Sequence, residues 1–376
     1  MKKIILLVFL FSIAVFSLAL EGAWTTKRMT KNSGNSMSPA IAVSGSNVYV
    51  VWSDDSSGED SEIYFKRSID NGASWGAIMR LTSNSGYSDL PVIAASGSNV
   101  YVAWQDTSPG NWEIYFKRSI DSGASWGANK RLTNNSGYSG TPAIAASGSN
   151  VYVVWGDDSP GNWEIFFERS TDSGASWDAK KRLTNNSGRS ELPSIAVNGS
   201  NVYVAWNDDS PGNEEIHFKK SGDGGANWDA NQRLTNNSGY SGAPSIAVSG
   251  LNVYLVWYDD STGNYEIYFK RSADGGASWN ANKLITNNSG PSQLPALAVS
   301  GSNVCAVWID YSPGNYEIYF KQSSESGASW GAITRLTNNS EPSWDPDIAL
   351  NSANVFVAWY DNSPGNYEIF LAFSPL

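Results

Sequence analysis

Short runs of alternating apolar and polar residues recur along the whole chain, each bounded by Gly, Pro, Asn or Ser. From Pro142 onward, four successive runs read PAIAAS, NVYVVW, EIFFER and WDAKKRLT. Alternation with a period of two over such short lengths predicts half-buried β-strands separated by turns. The pattern therefore predicts groups of four short antiparallel strands.

This group of runs repeats at a nearly constant interval, which two series of tryptophans mark. The first series has a spacing of 51 residues and comprises Trp75, Trp126, Trp177, Trp228, Trp279 and Trp330. The second is spaced by 52 residues once and by 51 thereafter, and comprises Trp52, Trp104, Trp155, Trp206, Trp257, Trp308 and Trp359. A fixed period of this length is typical of solenoids and propellers, and four antiparallel strands per unit predict propeller blades.

Both ends of the chain fit a closed ring of such blades. Residues 22–34, GAWTTKRMTKNSG, match the fourth run of the later units, and six complete units follow. The chain then ends with three runs, DIALN, NVFVAW and EIFLAF. We expect the N-terminal strand to complete the last blade, because this pairing removes exposed sheet edges. The prediction is one all-β domain over residues 21–376, a seven-bladed β-propeller with four antiparallel strands per blade.

An octapeptide lies between the third and fourth strands of each complete unit. It reads SIDNGASW from Ser68, SIDSGASW from Ser119 and STDSGASW from Ser170. The pattern Ser-x-Asp-x-Gly-x-x-Trp resembles the Asp-box, or BNR repeat, of sialidases and of many non-enzymatic β-propellers. The resemblance implies a structural turn remote from any active site. Its acid and tryptophan positions are Asp70 and Trp75, Asp121 and Trp126, Asp172 and Trp177, Asp223 and Trp228, Asp274 and Trp279, and Glu325 and Trp330.

The resemblance to sialidases also implies catalytic residues that can be sought in this chain. Sialidases hold the substrate carboxylate with three arginines, and bidentate arginine is suited to a planar carboxylate. One arginine of the family lies two residues before the proline of a first strand. The corresponding positions here are Met37, Asp89, Gly140, Glu191, Gly242, Gln293 and Trp344. Because the arginine motif is absent, we expect no sialidase-type activity. The alternative is a diverged glycoside hydrolase that uses carboxylates such as Asp89, Glu191 or Asp345.

The hairpin between the second and third strands is the strongest candidate for a binding surface. It reads DDSPGNWE in its third copy, and it opens on the same face as the loops between blades. Its leading acids in blades two to seven are Asp106, Asp157, Asp208, Asp259, Asp310 and Asp361. Its aromatic residues are Trp112, Trp163, Tyr265, Tyr316 and Tyr367.

Three interpretations of this hairpin stay open from the sequence. In the first, each Asp caps the turn and the closing Glu pairs with a strand lysine. In the second, the rings stack on sugars while nearby polar groups bind hydroxyls, in several weak copies that act together. In the third, the carboxylates bind calcium, although no loop has the ligand order of a known calcium motif. We expect no other cofactor and no metal site of known spacing.

The composition and the N-terminal segment limit the partners. Residues 1–20 have two lysines followed by an apolar run, which predicts a cleaved signal peptide and a secreted or cell-surface protein. The formal net charge of −11 becomes −13 without Lys2 and Lys3. An acidic surface argues against nucleic acid, and a membrane is expected only if the N-terminal segment is uncleaved. We expect a non-catalytic module that binds a glycan or a surface protein. A structural component of the cell envelope is the third hypothesis.

Overall fold

The computed structural model describes residues 24–58 and 60–376. Over these residues it is a ring of seven sheets, each with four antiparallel strands. The predicted fold, a seven-bladed β-propeller, is confirmed. The predicted signal peptide, residues 1–20, lies outside the described residues. The described part of the chain contains no helix that is long and apolar enough to cross a membrane.

The strands follow one another blade by blade along the chain. The first strand of the described residues is β1 (Thr25–Arg28). Blade one has β2 (Ser36–Ser44), β3 (Asn47–Asp54), β4 (Glu62–Ser68) and β5 (Met79–Arg80); blade two has β6 (Ser88–Ser96), β7 (Asn99–Asp106), β8 (Glu113–Ser119) and β9 (Lys130–Arg131). Blade three has β10 (Ser139–Ser147), β11 (Asn150–Asp157), β12 (Glu164–Ser170) and β13 (Lys181–Arg182); blade four has β14 (Ser190–Asn198), β15 (Asn201–Asp208), β16 (Glu215–Ser221) and β17 (Gln232–Arg233). Blade five has β18 (Ser241–Ser249), β19 (Asn252–Asp259), β20 (Glu266–Ser272) and β21 (Lys283–Leu284); blade six has β22 (Ser292–Ser300), β23 (Asn303–Asp310), β24 (Glu317–Ser323) and β25 (Thr334–Arg335). Blade seven has β26 (Ser343–Leu350), β27 (Asn354–Asp361) and β28 (Glu368–Pro375).

The first strand completes blade seven, as the sequence predicts. β1 pairs antiparallel with β28, with Thr25 opposite Phe373 and Arg28 opposite Phe370. Arg28 also makes an ion pair with Glu368 at 2.7 Å. The two ends of the described chain are thereby joined in one sheet.

The fourth strands are much shorter than the sequence suggests. The run WDAKKRLT predicts a strand of several residues, but β13 contains only Lys181 and Arg182. These fourth strands have a neighbour on one side only. A short strand at the outer edge of a sheet offers few free backbone groups for pairing with another chain.

The hydrophobic core lies between adjacent blades. The second strands, such as β11, are buried along nearly their whole length, which explains their almost continuous apolar sequence. One core cluster joins Phe65 of blade one to Val102 and Trp104 of blade two, and equivalent clusters follow around the ring. Cys305 is fully buried in such a cluster and acts as a small core residue.

The register of the strands defines two faces. Ser139 lies opposite Asp157, and Asp157 lies opposite Glu164, so the start of the first strand and the hairpin are at one end of the blade. We call this end the upper face; it comprises the hairpins between second and third strands and the loops between blades. The Asp-box turns are at the opposite end, the lower face, where Asn71 N donates to Ser46 O at 2.9 Å.

Candidate functional site

Each upper-face hairpin is built around a buried aspartate that accepts hydrogen bonds from three parts of its surroundings. Asp157 is typical. It accepts hydrogen bonds from Trp155 Nε1 at 3.2 Å, Ser139 Oγ at 2.9 Å and Asn135 Nδ2 at 2.9 Å, and from the Ser159 amide at 3.0 Å. Burial raises the pKa of Asp157, but these hydrogen bonds outweigh it and hold the pKa below its ordinary value.

The same arrangement occurs around the ring. The buried hairpin aspartates are Asp54, Asp106, Asp157, Asp208, Asp259, Asp310 and Asp361. Each accepts from the serine at the start of the first strand and from an asparagine of the preceding inter-blade loop. Carboxylates bound in this way fix the loops to one another, which favours the capping interpretation for the aspartates.

The glutamate that closes each hairpin is also buried, and its cation is an arginine. The sequence suggested a lysine, and this was wrong. Glu164 pairs with Arg182 at 2.6 Å and accepts from the Asn186 amide at 3.1 Å. The arginine belongs to the fourth strand, which brings its guanidinium to the upper end of the third strand. Blade five lacks this pair because Leu284 replaces the arginine, and there Thr286 Oγ1 donates to Glu266 at 2.5 Å.

The aromatic residues of the hairpins form clusters with aromatic residues of other loops. Tyr138, from the loop before blade three, lies between two hairpin tryptophans. Its ring centroid is 5.8 Å from that of Trp112 and 5.2 Å from that of Trp163. Both tryptophans are half-buried, so part of each indole is open to solvent. Three rings from two blades thus form one surface.

The other three hairpin aromatics have similar neighbours. Tyr265 lies 5.4 Å from Tyr258 and 6.5 Å from Tyr240 between ring centroids. Tyr316 contacts Tyr311 and Trp344, and Tyr367 contacts Tyr360. The sequence singled out only the hairpin members of these clusters. Their partners come from loops and strands up to 28 residues away, as with Trp344 and Tyr316, and no local pattern marks the contact.

Two glycines make room for the tyrosines of the inter-blade loops. A Cβ added at Gly140 would lie 2.2 Å from Cε1 of Tyr138, and one added at Gly242 would lie 2.7 Å from Cε1 of Tyr240. The Tyr-Ser-Gly sequence of these two loops therefore leaves space for the tyrosine ring over the first strand, but it does not indicate which hairpin the ring contacts. It occurs before blades three and five.

The first strands surround a central cavity of ≈ 370 Å³ that opens near the upper face. Each blade contributes a proline and the residue before it, and that residue has a positive φ between 46° and 53° at a β-bulge. The seven bulge residues are Ser38, Leu90, Thr141, Leu192, Ala243, Leu294 and Asp345. β-Bulges redirect side chains and are frequent beside functional sites. The cavity wall is mostly apolar in six blades and acidic in blade seven.

Two aspartates of blade seven, Asp345 and Asp347, give the cavity its acidic side. Each keeps part of its surface open to the cavity. Burial and the charge of Asp89 raise the pKa of Asp345 to about 6, and burial raises that of Asp347 to about 6 despite hydrogen bonds from the Ile41 and Ile348 amides. Of the three acids suggested for a hydrolase, Asp345 thus lies in the cavity with Asp89 near it. The third, Glu191, is ion-paired to Arg189 at 2.5 Å.

The Asp-box turns lie on the lower face and are closed by their own hydrogen bonds. Asp70 accepts from Ser68 Oγ at 2.6 Å and from the Ser74 amide at 2.8 Å, which lowers the pKa of Asp70 to about 2. Ser68 Oγ in turn accepts from the Gly72 amide at 2.9 Å. Asp121, Asp172, Asp223 and Asp274 have equivalent contacts, and Glu325 accepts from Ser329 Oγ at 2.6 Å.

The box tryptophans connect neighbouring blades. Trp126 packs edge-on against Phe65 of the preceding blade at 5.0 Å, and Trp177, Trp228, Trp279 and Trp330 make the same contact with their own preceding blades. Trp75 packs against the core at the closure of the ring. These positions give the octapeptide a clear structural role in blade packing.

Within residues 24–58 and 60–376, no group of three or more His, Cys, Asp or Glu side chains is arranged to hold a metal ion. The one histidine, His217, packs against Trp206 and lies 2.8 Å from Asn231 between Nδ1 and Nδ2. Burial lowers the pKa of His217. It lies on β16, opposite Trp206 of β15.

Comparison with solved structures finds similar folds in proteins of low sequence identity. The chain is similar to Trypanosoma rangeli sialidase, with a TM-score of 0.53 and 14% identity over 79% of this chain and 55% of that chain. It is similar to the phage phi92 endosialidase, with a TM-score of 0.59 and 11% identity over 94% and 69% of the two chains. It is also similar to a polysaccharide lyase, an ulvan lyase, with a TM-score of 0.62 and 10% identity over 90% and 94%.

The chain spans little more than half the length of the Trypanosoma rangeli sialidase chain. No protein-family model and no curated protein sequence matches it. At identities of 10–14% these similarities concern the fold. The chain has the architecture of a sialidase-like β-propeller.

Proposed function

We propose that this chain is a non-catalytic carbohydrate-binding propeller whose ligands bind the upper face. The observation that carries the proposal is the set of half-buried aromatic clusters, above all Trp112, Tyr138 and Trp163. The apolar faces of sugar rings pack on such surfaces, while their hydroxyls need polar partners nearby. Asn111 and Asn162 flank the two tryptophans, although their amides already donate to loop carbonyls.

The similar structures support a carbohydrate ligand, since their names are those of sialidases and of a polysaccharide lyase. The buried hairpin aspartates are assigned a supporting role, because protein donors already surround their oxygens. The predicted signal segment supports a secreted or cell-surface location for this binding.

The contacts of the arginines support a function other than sialidase-type catalysis. Six arginines lie on the outermost strands of their blades, with Arg28 on β1, and all six make ion pairs with hairpin glutamates. They are at positions 28, 80, 131, 182, 233 and 335. Arg67, Arg118, Arg169 and Arg271 donate to carbonyls of the next Asp-box turn on the lower face. The eleventh, Arg189, pairs with Glu191. These contacts do not bring three arginines together around one position for a substrate carboxylate.

The test is binding of the folded propeller to soluble polysaccharides, with the double variant Trp112→Ala/Trp163→Ala as the probe. Loss of two stacking surfaces should weaken binding at least ten-fold, since each aromatic contact contributes about 0.5–1.5 kcal/mol beyond its area. Leu251→Ala, which removes an exposed apolar side chain on the lower face, is the control. Unchanged binding by a double variant that unfolds at the same urea concentration as the parent would overturn the proposal.

A second candidate function is glycoside hydrolysis in the central cavity. The observation that favours it is Asp345, which lines the cavity, has a pKa of about 6 suited to a general acid, and is affected by the charge of Asp89. The test is release of a fluorogenic aglycone from a panel of glycosides at about pH 5. Turnover that is lost in Asp345→Asn would support hydrolysis. Absence of turnover in a preparation that binds the same glycans would exclude it.

A further inference from the structure

The upper face around blades four and five is acidic. Its loops present the half-buried carboxylates of Glu191, Asp209, Glu214 and Asp260. The one basic residue of these loops, Arg189, is bound to Glu191 at 2.5 Å. An anionic ligand would meet repulsion here, whereas a cationic group would be attracted.

Glu214 occupies the hairpin position that is aromatic in the blades on either side. It lies beside three tyrosines, Tyr240, Tyr258 and Tyr265, and we call these four residues the blade-five cluster. The rings of Tyr240 and Tyr258 are parallel, with centroids 5.9 Å apart and planes 7° apart. The ring of Tyr265 stands perpendicular to both, at 89° and 87°. The cluster therefore has two walls of aromatic carbon at right angles and a carboxylate beside them.

The Glu214 carboxylate is held in place but is not neutralised by a bound cation. Asn207 Nδ2 donates to it at 2.8 Å, and the Tyr240 hydroxyl is hydrogen-bonded to it. Burial raises the pKa of Glu214, and the neighbouring charge of Glu191 raises it further. Two carboxylate oxygens offer about four acceptor sites, so two hydrogen bonds leave room for a ligand donor.

Arg189 makes no ion pair with the Glu214 carboxylate. Its guanidinium is bonded to Glu191, two residues along the chain, and its side chain is 59% exposed. Within the described residues, the hydrogen-bond partners of Glu214 are the neutral side chains of Asn207 and Tyr240. The charges of Arg189 and Glu214 do interact, but no ion pair joins the two side chains. A half-buried carboxylate to which no cation is bonded directly is stabilised by a ligand that brings one.

We infer that the blade-five cluster is a subsite for a protonated amino group on a sugar, as in glucosamine units of a glycan. The inference rests on the proposed carbohydrate-binding function and specifies its ligand. The ammonium group would donate to Glu214 and lie against the tyrosine rings, whose faces attract cations. The sugar carbons would pack on the remaining ring surface. The ligand is then neutral or cationic, in contrast to the acidic sugars named for the similar sialidases.

The test compares two chains of equal length, a glucosamine tetramer and an N-acetylglucosamine tetramer, by titration calorimetry at about pH 6, below the pKa of a free amine. We expect the glucosamine tetramer to bind about ten-fold more tightly. Equal affinities would overturn the amine subsite but keep carbohydrate binding. Failure of both tetramers to bind would also overturn it, and the aromatic double variant tested on other glycans then decides the proposed function separately.

Two variants separate a local subsite from general attraction by an acidic face. Glu214→Gln should remove most of the preference for the glucosamine tetramer and leave the N-acetylglucosamine affinity within about two-fold. Glu341→Gln removes the same charge from an exposed position on the same face, between blades six and seven, and should leave the preference intact. Equal losses in both variants would overturn the inference, because the preference would then come from the overall charge of the face.

Discussion

A single buried carboxylate in each blade of this propeller connects the hairpin to the first strand and to the preceding inter-blade loop. Asp157 accepts hydrogen bonds from the core tryptophan Trp155, from the first strand through Ser139 and from the preceding loop through Asn135. Because the carboxylate is inaccessible to water, the donors around it have no alternative partner if it is removed. The serine and asparagine bonds recur in all seven blades and the tryptophan bond in six, and together they shape the upper face on which the aromatic clusters lie.

Asp157→Ala should therefore destabilise the protein strongly. We expect a loss of about 2–4 kcal/mol in the free energy of unfolding, because several buried donors lose their acceptor. Urea denaturation followed by tryptophan fluorescence measures it. The control is Asp178→Ala, which removes a half-exposed partner of Arg169 and should cost about 0–1 kcal/mol. Equal effects of the two substitutions would contradict the structural role assigned to Asp157.

The missing ion pair of blade five predicts a stabilising substitution. Leu284 occupies the position of Arg233 in blade four, which pairs with Glu215 at 2.7 Å. Leu284→Arg should give Glu266 the same partner and raise the free energy of unfolding by about 1 kcal/mol. The converse substitution, Arg233→Leu, should lower it by more, since it strands a buried carboxylate. A destabilised Leu284→Arg variant would show that blade five has adapted its packing to leucine.

The acids of the central cavity should make stability fall as the pH rises. The folded protein holds the pKa of Asp345 at about 6, above the ordinary 3.8, so it binds more protons than the unfolded chain between these values. Stability from this group is present at low pH and is lost as the pH rises towards the folded pKa. Asp345→Asn should lose less thermal stability than the parent between about pH 4 and pH 7.

Asp70 provides the opposite case as a control. Its pKa is lowered to about 2 from 3.8, so its contribution is present above the ordinary value and is lost as the pH falls towards 2. The Asp70→Asn variant should therefore be less stable than the parent near neutral pH, and this difference in stability should shrink as the pH falls towards 2. Melting temperatures of both variants across this range check the signs, and parallel curves for the parent and Asp345→Asn would contradict the cavity environment.

Residue types alone predicted part of this site. The hairpin aspartates and the Asp-box could be assigned to turns from local sequence, because Asp, Gly and Ser satisfy backbone groups within a few residues. The tyrosines that complete the aromatic clusters could not. Tyr138 meets Trp112 and Trp163 from a different loop, and Tyr240 meets Glu214 across a blade boundary, so only the folded register brings them together.

At the scale of strands, the period-two pattern located every blade correctly. It overestimated the length of the outer, fourth strands. The apolar second strands are buried on both sides, so their composition is distinctive. The fourth strands pair regularly over two residues in blades one to six. The rest of the predicted run is joined to the third strand by isolated backbone bonds, such as Asp178 N to Arg169 O at 2.9 Å and Leu183 N to Ile165 O at 2.7 Å. Hydrogen-bonded length at a sheet edge depends on the neighbouring turn, which composition does not specify.

The closing strand β1 gives the element-scale prediction. A chain beginning at residue 30 lacks β1 and leaves β28 without its outer neighbour and Glu368 without Arg28. Compared with a chain beginning at residue 24, it should unfold at lower urea concentration and aggregate faster through the exposed edge. Sedimentation and urea denaturation check both effects. Identical behaviour of the two chains would contradict the closure of blade seven by β1.

At the scale of the whole molecule, seven nearly identical blades carry an uneven upper face. Blades two and three share the Trp112, Tyr138 and Trp163 surface, blades four and five share the blade-five cluster, and blade seven places two acids in the cavity. The blades differ in these surface residues, while the serine and asparagine bonds to the hairpin aspartates recur in all of them. Several adjacent sites on one rigid ring would bind a repeating polymer more tightly than any one site.

The most direct measurement is a glycan array with the folded propeller, carrying neutral, amine-bearing and sialylated glycans, each inspected for cleavage after binding. The account predicts retention of intact neutral and amine-bearing glycans and weak retention of sialylated ones. Preferential binding or cleavage of sialylated glycans, or a blank array from correctly folded protein, would contradict it.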